Sequence, residues 1–248
     1  MSIESPADLA ALKRIGFIVA HTVKCMFEEA RVGMSTAELD AVGKRILDEH
    51  GARPAPKLCY GFQGSTMISV NEEVAHAIPG DRVLRSGDLV NIDVSAELDG
   101  YFADTGSTRP IGVAAPQLYD LCDASREALS QALLQVRAGA KIHAVAKAIK
   151  KVAHKRGYSV IENLTGHGVG RHIHEAPHHV PDFKNRLDKR RFKRGMVLTV
   201  EPFLSTGPKK AHESSDGWTL LTPKGNYTAQ FEHTVVVTDG APLILTAA

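Results

Sequence analysis

The feature that most narrows the choice of fold is an internal echo. Arg31-Val-Gly33 recurs in outline as Arg137-Ala-Gly139, and Gly33 and Gly51 stand 18 residues apart, as do Gly139 and Gly157. Farther along, Gly87-Asp-Leu-Val-Asn-Ile-Asp93 is matched by Gly195-Met-Val-Leu-Thr-Val-Glu201, with six steps from glycine to acid in each. The offsets between the two sets are 106 and 108 positions, nearly constant between residues 33 and 93. Self-similarity of this kind implies two homologous halves, about 5–112 and 115–246, facing each other across a pseudo-twofold axis. No linker, low-complexity run or shift of composition separates them. Residues 1–248 therefore read as one α+β domain of two helix–helix–strand–strand halves.

Local signals supply the elements. Ser5-Pro6-Ala7-Asp8 has a capping serine, a proline in the first turn and an acid three residues after the cap. Leu9, Leu12, Val19 and Val23 follow at helical spacing, which predicts a helix ending near Arg31-Val-Gly33. Ser35 begins a second helix running to Gly51, Pro116 to Arg137 reads as a third, and Val145, Ile149 and Val152 mark a fourth ending at Gly157. From Met67 the pattern shortens to β-like runs. Asp88–Val94 and Tyr101–Thr105 flank Asp99-Gly100, a strong two-residue hairpin turn.

Composition excludes several function classes. With 248 residues, 43% hydrophobic, the chain can bury a sizeable core, and its net charge of +2 carries no global signal for nucleic acid or anionic lipid. No apolar run approaches the ~18 residues of a membrane span, and the first residues lack the pattern of a secretory signal. Cys25, Cys59 and Cys122 are an odd, widely spaced set without a Cys-x-x-Cys pair, which fits free thiols in a reducing, cytoplasmic setting.

Acids placed in apolar strands point to the chemistry. With Asp99-Gly100 as the turn, Leu98 pairs with Tyr101 and Asp104 opposes Ser95, one diagonal step from Asp93 on the same sheet face. Two carboxylates side by side among Leu89, Val90, Ile92 and Val94 repel and lose hydration, so they need a cation or a shared proton. Glu201 holds the position related to Asp93 by the repeat. Glu232 sits in another apolar strand, and His167 has glycine on both sides, so a crowded site can approach its backbone. Together, Asp93, Asp104, His167, Glu201 and Glu232 offer four carboxylates and one imidazole, enough negative charge for two divalent cations. Oxygen-rich ligation with one nitrogen suits Co, Mn, Fe(II) or Zn. Two such ions about 3.5–4 Å apart form a hydrolytic centre.

Asn91-Ile-Asp-Val94, Asp104-Thr, Gly166-His-Gly-Val-Gly170, Val200-Glu-Pro202 and Gln230-Phe-Glu-His-Thr234 resemble, in order and in spacing, the five ligand motifs of type I (bacterial-type) methionine aminopeptidases. The resemblance runs from about Ser5 to Thr246. It implies the duplicated pita-bread fold around a central antiparallel sheet, two metal ions, and removal of the initiator methionine from nascent polypeptides by a monomer in the cytoplasm. By the same resemblance, Asp93, Asp104 and Glu232 chelate or bridge the ions, His167 and Glu201 hold one of them, and Glu201 also shuttles a proton. His76 and His174 contact the substrate backbone and the scissile carbonyl, while Cys59, Phe62, Met67 and Trp218 line the methionine pocket. Cys59 and Phe62 stand where tyrosines are common, Met67 where a cysteine is familiar, and Ile173 replaces a common aromatic. His172, His178 and His179 match no functional position and read as exposed or as supports behind the ligands.

Two other readings share these residues. Prolidase, creatinase and aminopeptidase P have the same fold and metal set but usually carry an extra N-terminal domain, and none is expected here. A metal-free binding module would be expected to lose ligands, whereas all five are present. Lys184 to Arg194 holds seven cations against Asp188 alone, either a solvated loop or a docking patch for ribosomal RNA.

Overall fold

The computed structural model describes residues 1–181, 183 and 187–247; Lys184 and Arg186 of the basic segment lie outside the described residues. The first half runs α1 (Pro6–Glu29), α2 (Thr36–Glu49), β1 (Arg53–Pro54), α3 (Ala55–Tyr60), β2 (Met67–Val70), β3 (Glu73–Ala75), β4 (Leu89–Leu98) and β5 (Tyr101–Pro110). The second opens with α4 (Pro116–Leu133), α5 (His143–Arg156), β6 (Ser159–Val160), β7 (Gly166–Gly168), β8 (Glu175–Val180) and β9 (Val197–Val200). It closes with β10 (Phe203–Ser205), β11 (His212–Glu213), β12 (Leu220–Leu221), β13 (Thr228–Gln230), β14 (His233–Val236) and β15 (Leu243–Ile244).

The capping signals act as expected. Ser5 and Asp8 form a reciprocal capping box before α1, and Ser35 with Glu38 does the same before α2, each satisfying orphan N–H groups of the first turn. Both α1 and α4 stop short of their expected ends. α1 is capped at Ala30, and after Leu133 the chain turns through Gln135 N to Ala132 O and Val136 N to Leu133 O instead of continuing to Arg137. Ala138 N then bonds Thr238 O, so tertiary pairing takes donors that a longer helix would have used.

The repeat appears in hydrogen bonds as well as in letters. Gly33 N to Leu84 O (2.9 Å) is matched by Gly139 N to Phe192 O (2.9 Å), and Gly87 N to Ile111 O (2.8 Å) by Gly195 N to Val237 O (2.9 Å). The paired glycines share the left-handed backbone: φ is 91° and 80° at Gly33 and Gly139, 70° and 77° at Gly51 and Gly157, and 92° and 81° at Gly87 and Gly195. Side chains are strained at such angles, so the sequence echo records six turns that require glycine.

Each half has its own core. Ile15, Val19 and Met26 of α1 with Leu39 and Ile46 of α2 pack on Ile68 and Ile92, whereas Leu121 and Leu129 of α4 with Val145 and Ile149 of α5 pack on Leu198 and Val200. Every such side chain removed from water contributes about 1.5–3 kcal/mol. Among the described residues the strands form four antiparallel sheets, the larger two being β1-β4-β2 with β5 on β4, and β15-β14-β9-β7-β8. These two meet at the centre. Asp104 N donates to Thr234 Oγ1 (3.0 Å), Thr234 Oγ1 to Asp104 O (2.7 Å), and Glu232 N to Gly106 O (3.0 Å). No described helix is long and apolar enough to cross a membrane.

Candidate metal centre and substrate cleft

The β4–β5 hairpin positions the first two acids. Leu98 pairs with Tyr101 and Ser95 with Asp104, the register expected from the Asp99-Gly100 turn, whose residues have φ of 53° and 79°. Asp93 and Asp104 therefore point to one face a diagonal step apart, close enough that the charge of Asp93 raises the pKa of Asp104. Asp104 is buried and Asp93 half-buried, and both face the same cleft.

The second half brings three more groups against this pair. His167 lies on β7, squeezed between β8 and β9. A side chain at Gly166 would place Cβ 2.3 Å from Thr199 O, and one at Gly168 would place it 2.4 Å from Ala176 O, which is why glycine flanks the histidine. His167 Nδ1 donates to Gly168 O (3.0 Å), leaving Nε2 bare, 3.7 Å from both Asp104 Oδ2 and Glu201 Oε1. Ligand atoms of Asp104, His167 and Glu232 all lie within 4.8 Å of one another, and all three residues are buried. The structure thus joins all five expected residues in one connected group.

Three supporting residues escaped the sequence reading. Thr199 Oγ1 donates to Glu201 Oε1 (2.9 Å) and accepts from His167 N (3.0 Å). Gln230 Nε2 donates to Glu232 Oε2 (3.1 Å) and toward Asp93 Oδ2 (3.4 Å), while Gln230 Oε1 accepts from Asn91 Nδ2 (2.7 Å). Asn91, Thr199 and Gln230 each stand two residues before an acid of the site: Asn91 and Asp93 share a face of β4, and Thr199 and Gln230 bond the acids that follow β9 and β13. That spacing was the available signal.

The electrostatics call for a cation. Burial first, then the neighbouring acids, pushes Asp104 and Glu232 well above the usual carboxylate range. Burial and Asp93 do the same to Glu201, and burial raises Asp93 to about 6. Among the described residues, Asp104 Oδ1 and Glu232 Oε1 are buried acceptors with no hydrogen-bond partner. Unmet acceptors among four crowded carboxyls beside a bare imidazole nitrogen are what a divalent ion would satisfy. Burial and His174 drive His167 down to about 3, and burial and His174 take His76 to about 4, so these rings are neutral at pH 7.

A cleft of about 640 Å³ opens onto this group. His76, His174, Met67 and Trp218 line it, and Ile173 and Phe203 add apolar wall. His76 sits at φ 58°, an unusual angle for a residue with a side chain. Two expectations need correction. Phe62 is fully buried behind Trp218, edge to face at 5.1 Å, so it braces the wall without lining it. Cys59 is exposed and lies outside the cleft, because on α3 Pro56 and Tyr60, one turn apart, take the cleft side. His178 and His179, expected to be exposed or to support the ligands from behind, line the cleft themselves, His179 Nδ1 lying 3.0 Å from Thr165 Oγ1.

The sequence model of metallopeptidase family M24 matches residues 10–239. The chain belongs to metallopeptidase family M24. Among M24-type relatives, methionine aminopeptidase 2 of Bacillus subtilis is 44% identical over 247 residues, 99% of each chain, and a methionine aminopeptidase of Staphylococcus epidermidis is 45% identical over 99% of this chain and 98% of its own. The crystal structure of a methionine aminopeptidase from Thermotoga maritima superposes over the whole of both chains with a TM-score of 0.94 at 30% identity. The prolidase of Pyrococcus furiosus, 22% identical, matches over 65% of its own length with a TM-score of 0.78, a likeness of fold alone. As an M24 metallopeptidase the protein is a metal-dependent peptidase, and the acid–imidazole group offers ligand atoms of the kind and spacing a metal ion needs.

Proposed function

We propose that the protein is a methionyl aminopeptidase that removes the initiator methionine from newly made polypeptides with a small second residue, residues 1–248 acting as one catalytic unit in the cytoplasm. The observation that carries this reading is the buried Asp104–His167–Glu232 group, with its two unmet acceptors, set against an apolar-walled cleft. Similarity to methionine aminopeptidases along nearly the full chain supports the choice of substrate.

Asp93, Asp104, His167, Glu201 and Glu232 would hold two divalent ions, Co, Mn, Fe(II) or Zn, since four carboxylates balance two dications. When bound, such ions supply a water of lowered pKa and polarise the scissile carbonyl. Glu201, held by Thr199, takes the proton of the attacking water and passes it to the departing amine. Neutral His174 and His76 reach the cleft as hydrogen-bonding groups, His174 for the carbonyl oxygen as it gains charge and His76 for the substrate backbone. Met67, Trp218, Ile173 and Phe203 receive the flexible thioether, with Phe62 keeping Trp218 upright.

Release of free methionine from Met-Ala-Ser by metal-stripped protein, with and without Co(II), Mn(II) or Fe(II), tests the reading. Metal-dependent release that Asp93→Ala abolishes is the expected result. No release with any ion overturns it in favour of an X-Pro-cleaving hydrolase or a non-catalytic binding protein of the same fold. For ribosome contact through Lys184–Arg194, the supporting observation is weaker than the charge count: Arg190 pairs with Asp188 (2.7 Å), Arg194 with Asp239 (3.0 Å), and Arg191 Nη1 donates to Gly139 O (2.6 Å).

A further inference from the structure

Tyr60 ends α3 in the first half and reaches a residue of the second. The residue is 49% exposed and lines the cleft, and its hydroxyl lies 2.7 Å from His174 Nδ1, 114 positions along the chain. The two rings are 5.7 Å apart and tilted by 42°, and His174 in turn lies 4.2 Å from the ring of His167. A line of contacts thus runs from the rim of the cleft to the metal-binding group. Nothing in the motifs of the site includes Tyr60, and the residue expected to line this wall, Cys59, does not.

A neutral imidazole has one nitrogen that donates and one that accepts, and the partner of one decides the role of the other. If the phenol donates to Nδ1, the ring proton is on Nε2, and Nε2–H is free to meet an oxygen that is gaining negative charge. Were the phenol to accept from Nδ1–H instead, Nε2 would be a bare lone pair facing that oxygen, which opposes the same charge. Burial holds the Tyr60 hydroxyl above its usual range, so it keeps its proton.

We propose that Tyr60 is a positioning residue: its hydroxyl donates to His174 Nδ1, which fixes the ring proton on Nε2 and aims that N–H at the scissile carbonyl oxygen. This rests on the aminopeptidase reading, and it gives the first half a part in placing a histidine of the second. A wall residue would contribute through its ring, and Phe supplies the same ring. A tautomer-fixing residue contributes through its hydroxyl, which Phe lacks.

The test has three parts. Tyr60→Phe should lower kcat on Met-Ala-Ser about 10-fold, the lower end of what partners orienting a site histidine contribute, with KM within about twofold. In a double-mutant cycle with His174→Ala, Tyr60→Phe should then cause no further loss, because its route of action has been removed. Nitrogen-15 spectra of histidine-labelled protein should show the His174 proton on Nε2, and a mixture of tautomers in Tyr60→Phe. Unchanged kcat in Tyr60→Phe, additive losses in the cycle, or a wild-type proton on Nδ1 would each overturn the proposal. The spectra need no turnover, so a protein that releases no methionine would sink the aminopeptidase reading while the tautomer is still decided.

Discussion

The two halves of the molecule share a plan yet supply the site in different ways. The first contributes Asp93 and Asp104 from one hairpin, 11 positions apart, in a register set by a two-residue turn. The second contributes His167, Glu201 and Glu232 from around β7, β9 and β14, spread over 65 positions. The hairpin carries its geometry locally. The other three groups converge only when β9 pairs with both β7 and β14, and when Thr234 and Glu232 dock on β5. Duplication therefore preserved backbone turns and hydrogen bonds more faithfully than the residues doing chemistry. Asp93 and Glu201 occupy related positions, but the imidazole has come from one half alone.

The strongest way to break this comparison is to remove one ligand from each half. Asp93→Ala and Glu232→Ala should each lower kcat/KM for Met-Ala-Ser by more than about 100-fold, beyond the loss expected for a residue that only orients a ligand, and metal analysis should show reduced occupancy in both. Substantial activity in one of them alone would mean that a single half holds the working ion.

Next is the pH dependence of the metal-stripped protein. Burial raises the folded-state pKa of Asp93 to about 6 and, with the neighbouring acids, holds those of Asp104, Glu201 and Glu232 well above the ordinary carboxylate range, so the fold binds more protons than the unfolded chain once pH exceeds that range. Their contribution is complete below that range and is lost as pH rises through the folded values. His167, at about 3, and His76, at about 4, act oppositely: their contribution is present above about 6.5, the unfolded value, and lost as pH falls through the folded values. Above that pH the histidines are neutral in both states and the carboxyls alone decide. Thermal unfolding of stripped protein should show Tm falling from pH 6.5 to pH 8.5, and added metal should abolish the trend by satisfying the ionised acids. A stripped protein equally stable across that window would remove the claim that these acids are strained.

Two glycines sharpen the contrast between local and long-range construction. Gly166→Ala drives Cβ into Thr199 O and Val180 O, both backbone atoms of neighbouring strands, and should cost about 3 kcal/mol in denaturant unfolding. Gly100→Ala meets only Arg171 Nη1 at 3.6 Å, so it should cost about 1 kcal/mol from the left-handed angle and leave kcat intact. The smallest effect separates the cleft residues. Wild type should prefer Met over Leu dipeptides by at least about 10-fold in kcat/KM, Trp218→Ala should shrink that ratio, and Cys59→Ser should leave it unchanged. A shift in Cys59→Ser would contradict the placement of that side chain outside the cleft.

What was legible in the sequence follows the same division. The hairpin register, the capping boxes at Ser5 and Ser35 and the glycine echo were all readable because each depends on a few consecutive residues and a fixed period. The ends of α1 and α4 were not, since Ala138 and its neighbours bond to segments far along the chain. The five candidate ligands stand out as acids in apolar strands and through motif resemblance, whereas Asn91, Thr199 and Gln230, two steps before three of them, carry no such mark. The cleft wall went wrong by one residue: Cys59 was chosen where Tyr60 points inward, because the face that a six-residue helix presents depends on what it packs against.

By itself, then, the sequence determined two related halves, their turns and the presence of a multi-acid site, all properties of local spacing. Only the tertiary structure decided that β5 packs against β14 through Thr234, that two acceptor oxygens are left unmet at that seam among the described residues, and that Tyr60 reaches His174 across the cleft. The reason is physical: a turn or a strand face is set by neighbouring dihedral angles, whereas the meeting of groups more than a hundred positions apart is set by how two cores pack.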